Sequence, residues 1–185
     1  NSGDQIIIRE TLLNLELLNF SYFDSLPWPV CADGVGYSLI LRKPRTSPDH
    51  DQASNWRCSA LPGGNPGTQD GRPAFVGIAN LDNDGDGLSA LLEHFLGTSD
   101  SLSSEGQGNY QLSYLTLPNG TTYPTFKIIH PIGADDITPD AFWSIDLENW
   151  SNSKNDRILI SERPNGDGTI TSIWRSNSNT KVSPQ

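Results

Sequence analysis

The stretch LDNDGDGLSALLEHFLG, residues 81–97, carries the most specific pattern in the chain and organises what lies on either side. Three aspartates occupy alternate positions, a glycine follows them directly, and a glutamate falls at position 12 of a loop numbered from the first aspartate. EF-hand loops bind calcium through carboxylates at positions 1, 3, 5 and 12 and a backbone carbonyl at position 7. The spacing therefore predicts a calcium site formed by Asp82, Asp84, Asp86, Leu88 and Glu93.

The alternative is an acidic N-terminal cap on a helix predicted over residues 88–96, where the helix dipole favours negative charge. A cap uses one carboxylate and leaves the other spacings unexplained. An all-protein cage of oxygen ligands favours calcium over magnesium. The preceding residues 75–80, FVGIAN, are short and show no helical pattern, so the loop lacks the paired helices of a calcium sensor and a structural ion is expected.

The sequence on both sides of this stretch predicts a mainly β fold. Charged residues make up 18% of the chain, and it contains 17 glycines and 13 prolines, a composition typical of short strands joined by turns. Strand candidates are QIIIRE, LELLNF, GYSLILR and NWRCSA before the loop, and YQLSYLTL, TYPTFKII, AFWSID, RILISE and TITSIWR after it. LELLNF has a helical alternative. The turns PNG at 118–120 and NGDG at 165–168 predict hairpins.

These patterns divide the chain into three parts. Residues 1–70 are predicted to form a β domain, residues 71–105 a calcium-loop and helix linker, and residues 106–185 a second antiparallel β-sandwich. The turn-rich stretch LPGGNPGTQDGRP, residues 61–73, marks the first boundary.

The charge balance limits the classes of partner. The formal net charge is −10, and the longest basic cluster is Arg42-Lys43-Pro44-Arg45, which argues against nucleic acid and anionic membrane surfaces. No apolar run approaches the roughly 20 residues that span a bilayer, so no membrane insertion is expected. Cations are the expected partners.

Cys31 and Cys58 are the two cysteines, and we expect them to form a disulfide in an oxidising compartment; two buried free thiols are the alternative. The chain contains no methionine and opens at Asn1, so we expect a processed or truncated piece of a longer secreted product.

Other chemistry finds little support in the sequence. His50, His94 and His130 share no metal-ligand spacing, and the neighbouring Asp135 and Asp136 are expected to lie in a solvated turn rather than to form an acid pair. Motifs of hydrolases, metalloproteases and phosphate-binding loops do not occur, so no enzymatic activity is expected. The five tryptophans are expected in the core, with a sugar-binding face as the alternative.

Several motifs together resemble a known family. NSGDQIIIRE, FSYFDSLPWPVCADGVGYSLILR and SNWRCSALPGGNPG are similar to the immunoglobulin-like lamin tail domain found in large secreted or surface proteins of planctomycete- and verrucomicrobia-like bacteria. LDNDGDGLSALLEHFLGTSD resembles the calcium-loop linker of such proteins, and FWSIDLENW with NGDGTITSIWR resembles their C-terminal β-rich module. The resemblance covers most of the chain.

The resemblance implies a non-enzymatic, calcium-stabilised structural or adhesion protein at the bacterial cell surface. The family has further strands before the turn at which this chain begins, and its C-terminal module continues into one more apolar strand. The domain at 1–70 is therefore expected to be incomplete at its N-terminus and the module at 106–185 at its C-terminus. A neighbouring polypeptide, either an upstream part of the same protein or another copy, would then cover open strand edges and residues such as Ile6 and Leu39. The alternative function is a carbohydrate-binding accessory module of a secreted hydrolase.

Overall fold

The computed structural model describes residues 3–103, 108–139, 142–144 and 146–178. Within these ranges the protein is mainly β, with antiparallel sheets and one α-helix, as the sequence predicts. The strands are β1 Asp4–Arg9, β2 Glu16–Tyr22, β3 Leu39–Leu41, β4 Trp56–Cys58, β5 Tyr110–Thr116, β6 Thr122–Pro131, β7 Arg157–Pro164 and β8 Thr169–Ser176, and the helix is α1 Ala90–Leu96.

The first half of the chain, which precedes the acidic loop and contains β1 to β4, has two separate strand pairs. β1 and β2 form an antiparallel hairpin, and β3 pairs with β4. LELLNF thus contributes to a strand and not to a helix. An aromatic core of Phe20, Trp28 and Trp56 lies beneath the hairpin, with the rings of Phe20 and Trp56 stacked at 5.2 Å. The described strand pairs do not join into one sandwich, so an immunoglobulin-like arrangement is not confirmed.

The second half forms one antiparallel sheet in the order β5-β6-β8-β7. The predicted PNG and NGDG turns connect β5 to β6 and β7 to β8, as expected. One face of the sheet is mostly apolar and carries Phe126, Ile128, Ile170 and Trp174 together with His130 and Ser172. The opposite face is mixed, with Lys127, Thr171 and Arg175 beside Ile129 and Ile173. The described strands form a single layer here, so the predicted second sandwich is not confirmed.

AFWSID, predicted as a strand at 141–146, is only partly described. Trp143 makes an isolated antiparallel bridge to Ser151, with both backbone hydrogen bonds at 2.8 and 2.9 Å. Residues 141 and 145 lie outside the described residues.

Buried side chains from both halves share one core. The Cys31–Cys58 disulfide packs with Ile132 and Ile170 of the second half. The disulfide therefore belongs to the contact between the first half and the C-terminal sheet.

A buried ionic network joins the same two halves. Arg57 in β4 is 5% exposed, and its Nε and Nη2 donate to the carboxylate of Asp135 at 2.8 Å each. Its Nη1 donates to Asp70 Oδ1 at 2.6 Å and to the carbonyl of Cys58 at 2.9 Å, and Nη2 also donates to the carbonyl of Asp70 at 3.0 Å. The Asp135 side chain is therefore held in an ion pair and the expectation is wrong for it, whereas Asp136 is exposed in the turn, as expected. Asp70 ties the turn-rich stretch 61–73 into the same network.

Candidate metal site

Backbone hydrogen bonds join the two ends of the acidic loop to each other. The amides of Ala90 and Leu91 donate to the carbonyls of Leu81 and Ala79, at 2.7 and 3.1 Å, which brings the start of α1 against the segment before the loop. The helix begins at Ala90 and not at the predicted residue 88, because Ser89 is extended.

The helix ends at Gly97, whose φ of 79° lies in the left-handed region that glycine adopts without strain. The amide of Thr98 then donates to the carbonyl of Glu93 at 2.9 Å, which satisfies a helix-end acceptor. α1 is thus a short helix with a capped C-terminus, and it holds Glu93 next to the loop.

Three aspartates converge in this loop. One carboxylate oxygen from each of Asp82, Asp84 and Asp86 lies within 4.8 Å of the others. Both oxygens of Asp82 accept backbone amides of the loop, at 2.8 and 3.1 Å. Asp84 Oδ2 and Asp86 Oδ2 are buried and accept no hydrogen bond from the described residues. The loop therefore buries two carboxylate oxygens, and no donor among the described residues satisfies them.

Glu93 adds a fourth carboxylate beside this cluster. Its side chain is fully buried, and Oε2 has no hydrogen-bond partner among the described residues. Burial raises the pKa of Glu93, and the charges of Asp84 and Asp86 raise it further. Glu93 lies outside the 4.8 Å set, with Oε1 at 3.4 Å from Thr98 Oγ1. A buried carboxylate next to like charges is unfavourable unless a cation or proton compensates it.

The donor set suits a hard divalent cation. Its side-chain donors are all carboxylate oxygens, which calcium prefers over nitrogen or sulfur. Leu88, the predicted carbonyl ligand, is buried with Phe95 and Leu96, and its amide donates to Asp86 Oδ1 at 2.8 Å. The cluster of Asp82, Asp84 and Asp86 could hold a metal ion beside the start of α1.

Asp100 lies against the acidic loop. Its position in the sequence, three residues after the helix C-cap, did not predict this contact. It accepts a hydrogen bond from the amide of Asn83 at 3.0 Å and another from the Asn83 side chain. Asp100 also contributes to raising the pKa of Glu93. Through these hydrogen bonds, the GTSD sequence after α1 connects the middle of the acidic loop to the end of the helix.

Helix α1, which borders the acidic loop, packs against the C-terminal sheet. The ring of Phe95 stacks on His130 of β6 at 4.5 Å between ring centroids. Leu88, Phe95 and Leu96 form a buried cluster with Ala134. Any change in the loop that displaces α1 must therefore disturb the packing of β6.

The other predicted residues have structural surroundings. Cys31 and Cys58 form the predicted disulfide, with their Cα atoms 5.9 Å apart, which is compatible with an extracellular protein. His50 packs against Trp56, and His94 packs against Phe75 with Nε2 at 3.7 Å from Asp136.

The tryptophans do not share one environment. Trp28 and Trp56 are buried in the aromatic core, whereas Trp150 is 56% exposed. Trp174 lies on the apolar face of the sheet. Trp28 and Trp56 are therefore unavailable for a row of exposed rings on a sugar-binding face.

Within the part of the chain that the structure describes, no helix is long and apolar enough to cross a membrane. Comparison of the chain with family models, curated proteins and solved structures gives no match.

Proposed function

We propose that this chain is a non-enzymatic structural or adhesion protein of the bacterial cell surface, stabilised by calcium at Asp82, Asp84, Asp86 and Glu93. The observation that carries the proposal is the buried, unpartnered Oε2 of Glu93 beside three convergent aspartates. Four neighbouring carboxylates repel one another, and a divalent cation removes that repulsion. The lamin-tail resemblance of residues 1–70 and the oxidised Cys31–Cys58 pair support the extracellular assignment.

The role of the ion is mechanical. Calcium joins the acidic loop to Glu93 on α1, and α1 packs through Phe95 on the C-terminal sheet. The Arg57 network and the disulfide attach the first half to the same sheet. The ion therefore contributes to one fixed arrangement of the β elements, as an extracellular protein under load requires.

The assembly part of the proposal rests on the β1–β2 hairpin. Ile6 and Ile8 are 41% and 49% exposed, and Leu12 and Leu13 at its tip are 91% and 83% exposed. A two-stranded hairpin with exposed aliphatic side chains is marginally stable in water. A neighbouring polypeptide, either from the same protein or from another copy, would cover these residues by strand addition.

Calorimetric titration with calcium tests the proposed ion site. We expect one ion per chain in the wild type and a loss of binding in Asp84→Asn. Asp167→Asn is the matched control, because Asp167 is an exposed aspartate in the turn between β7 and β8. Equal binding by the two variants, or no binding by the wild type, contradicts the proposal.

A further inference from the structure

A second concave site lies away from the acidic loop. A cavity of about 460 Å³ opens between α1 and the apolar face of the C-terminal sheet. Its walls are apolar: Leu91, Leu92 and Phe95 come from the helix side, and Phe126, Ile128 and Trp174 come from the sheet. The size and the lining fall in the range of small-molecule sites, which are concave, mostly apolar and carry a few polar groups.

The polar groups of this cavity include residues of β7, β8 and the segment after β3, together with Arg57 of β4 and His130 of β6. Ser172 on β8 donates to Glu162 Oε2 at 3.4 Å, and the guanidinium of Arg157 lies 5.7 Å from the ring centroid of Trp174. Arg42, which follows β3, also lines the cavity. The site therefore has an apolar body and a polar region that contains guanidinium groups.

Arg42 has hydrogen-bonding capacity left over. Its Nε donates to the carbonyl of Trp56 at 3.3 Å. Its Nη1 lies 3.6 Å from Asp135 Oδ1, beyond hydrogen-bond distance, and that oxygen already accepts Arg57 Nε at 2.8 Å. Arg57, in contrast, directs its donors to Asp135, Asp70 and backbone carbonyls. Arg42 is thus a cation at the cavity whose Nη donors a ligand can still engage, although it forms an ion pair with Asp135 at 3.6 Å.

The charge of the lining differs from that of the chain. The protein as a whole has a net charge of −10, but the described residues that line the cavity include Arg42, Arg57 and Arg157 and one acidic residue, Glu162. Arg57 is already paired with Asp70 and Asp135, and Arg42 has Asp135 at 3.6 Å and the charge of Glu162 nearby. An anionic head group therefore depends on the remaining Nη donors of Arg42 and not on an excess of positive charge. A guanidinium group also matches the planar, two-oxygen geometry of a carboxylate.

We propose that this cavity binds a small amphipathic anion, with its apolar body between α1 and the sheet and its carboxylate or sulfonate group on Arg42. None of the predicted calcium ligands lines the cavity, so the proposal does not rest on calcium binding, although α1 borders both the cavity and the acidic loop. Burial of the apolar body supplies most of the affinity, and Arg42 selects the charge of the head group.

The test uses the dye 8-anilinonaphthalene-1-sulfonate, which joins an aromatic body to a sulfonate, and the uncharged N-phenyl-1-naphthylamine as a matched probe. We expect the sulfonate dye to bind one site per chain and to shift the indole N–H signal of Trp174 but not that of Trp28. Arg42→Gln should weaken the sulfonate dye about tenfold, as for a lost hydrogen bond to a charged group, and leave the uncharged probe unchanged. Arg45→Gln, an exposed arginine on the same segment, is the control.

Three results overturn the proposal. One is no saturable binding, and another is equal weakening by Arg42→Gln and Arg45→Gln. The third is a loss of dye binding in the double variant Leu12→Ser with Leu13→Ser, because that loss would show that the dye binds at the exposed hairpin and not in the cavity. If circular dichroism shows that Arg42→Gln is unfolded, Leu91→Trp fills the cavity from the helix side and should abolish dye binding; retained binding contradicts the assignment.

Discussion

Replacing Arg57 by methionine should destabilise the whole protein and not only β4. All five N–H donors of the guanidinium are used, by the carboxylate of Asp135, by Asp70 and by two backbone carbonyls. The carboxylates of Asp135 and Asp70 raise the pKa of Arg57 although burial opposes this. Arg57→Met removes the main cation of Asp70 and Asp135, with only Arg42 left at 3.6 Å from Asp135, and removing one partner of a buried pair costs about 3–5 kcal/mol.

Urea unfolding followed by circular dichroism measures this cost. Arg9→Met is the control, because Arg9 pairs with Glu16 at 3.2 Å on the surface with half of its side chain exposed, and such pairs contribute about 0–1 kcal/mol. We expect one cooperative transition in both variants, with the Arg57 variant less stable by at least about 2 kcal/mol. Equal stabilities would refute the reasoning, and so would two separate transitions in the wild type, because the network then would not join the two halves.

Two further predictions concern the core, and one concerns the hairpin. Replacing Cys31 and Cys58 together by serine should lower the free energy of unfolding by about 3–4 kcal/mol in urea titrations, since the bond closes a loop with a sequence separation of 27; a loss below about 1 kcal/mol contradicts this. Burial lowers the pKa of His130 below 6.5, with a smaller contribution from Arg42, so the unfolded chain binds the proton more tightly. The free energy of unfolding should therefore be highest above about pH 6.5 and fall as the pH drops. Urea titrations at about pH 7.5 and 5.5 should show a smaller fall for His130→Gln than for the wild type, and an equal fall in both proteins contradicts the prediction. Leu12→Ser with Leu13→Ser should reduce concentration-dependent self-association in sedimentation measurements, and unchanged association excludes the hairpin tip from copy-to-copy contacts.

Local patterns in the sequence predicted the local elements. The apolar runs predicted strands at β1 and β2, and the turn residues predicted the turns between β5 and β6 and between β7 and β8, because these depend on neighbouring residues. The pairing of β1 with β2 was not predicted. The DxDxDG spacing brings Asp82, Asp84 and Asp86 together for the same reason. The helix was predicted two residues too early, because the amide of Leu88 bonds to Asp86 within the loop.

Contacts between distant residues could not be predicted in this way. Arg57 and Asp135 are 78 residues apart, and an aspartate between a glycine and a proline looks like a solvated turn until the cation beside it is known. The position of Asp100 against Asn83 also depends on the short, capped length of α1. The number of layers in each half depends on long-range packing of strands, which apolar alternation does not specify.

The central claim is that calcium at the acidic loop stabilises this fold, and Glu93→Gln tests it most directly. The wild type and the variant are unfolded by urea in excess EDTA and again in calcium at about 100 times the dissociation constant, where binding to the native state contributes about 2.7 kcal/mol. In EDTA the variant should be at least as stable as the wild type, because a neutral amide replaces a buried carboxylate that the charges of Asp84 and Asp86 disfavour. In calcium the order should reverse, since the wild type gains the binding free energy and the variant loses a ligand. A wild type indifferent to calcium, or a variant that gains as much as the wild type, would contradict the account.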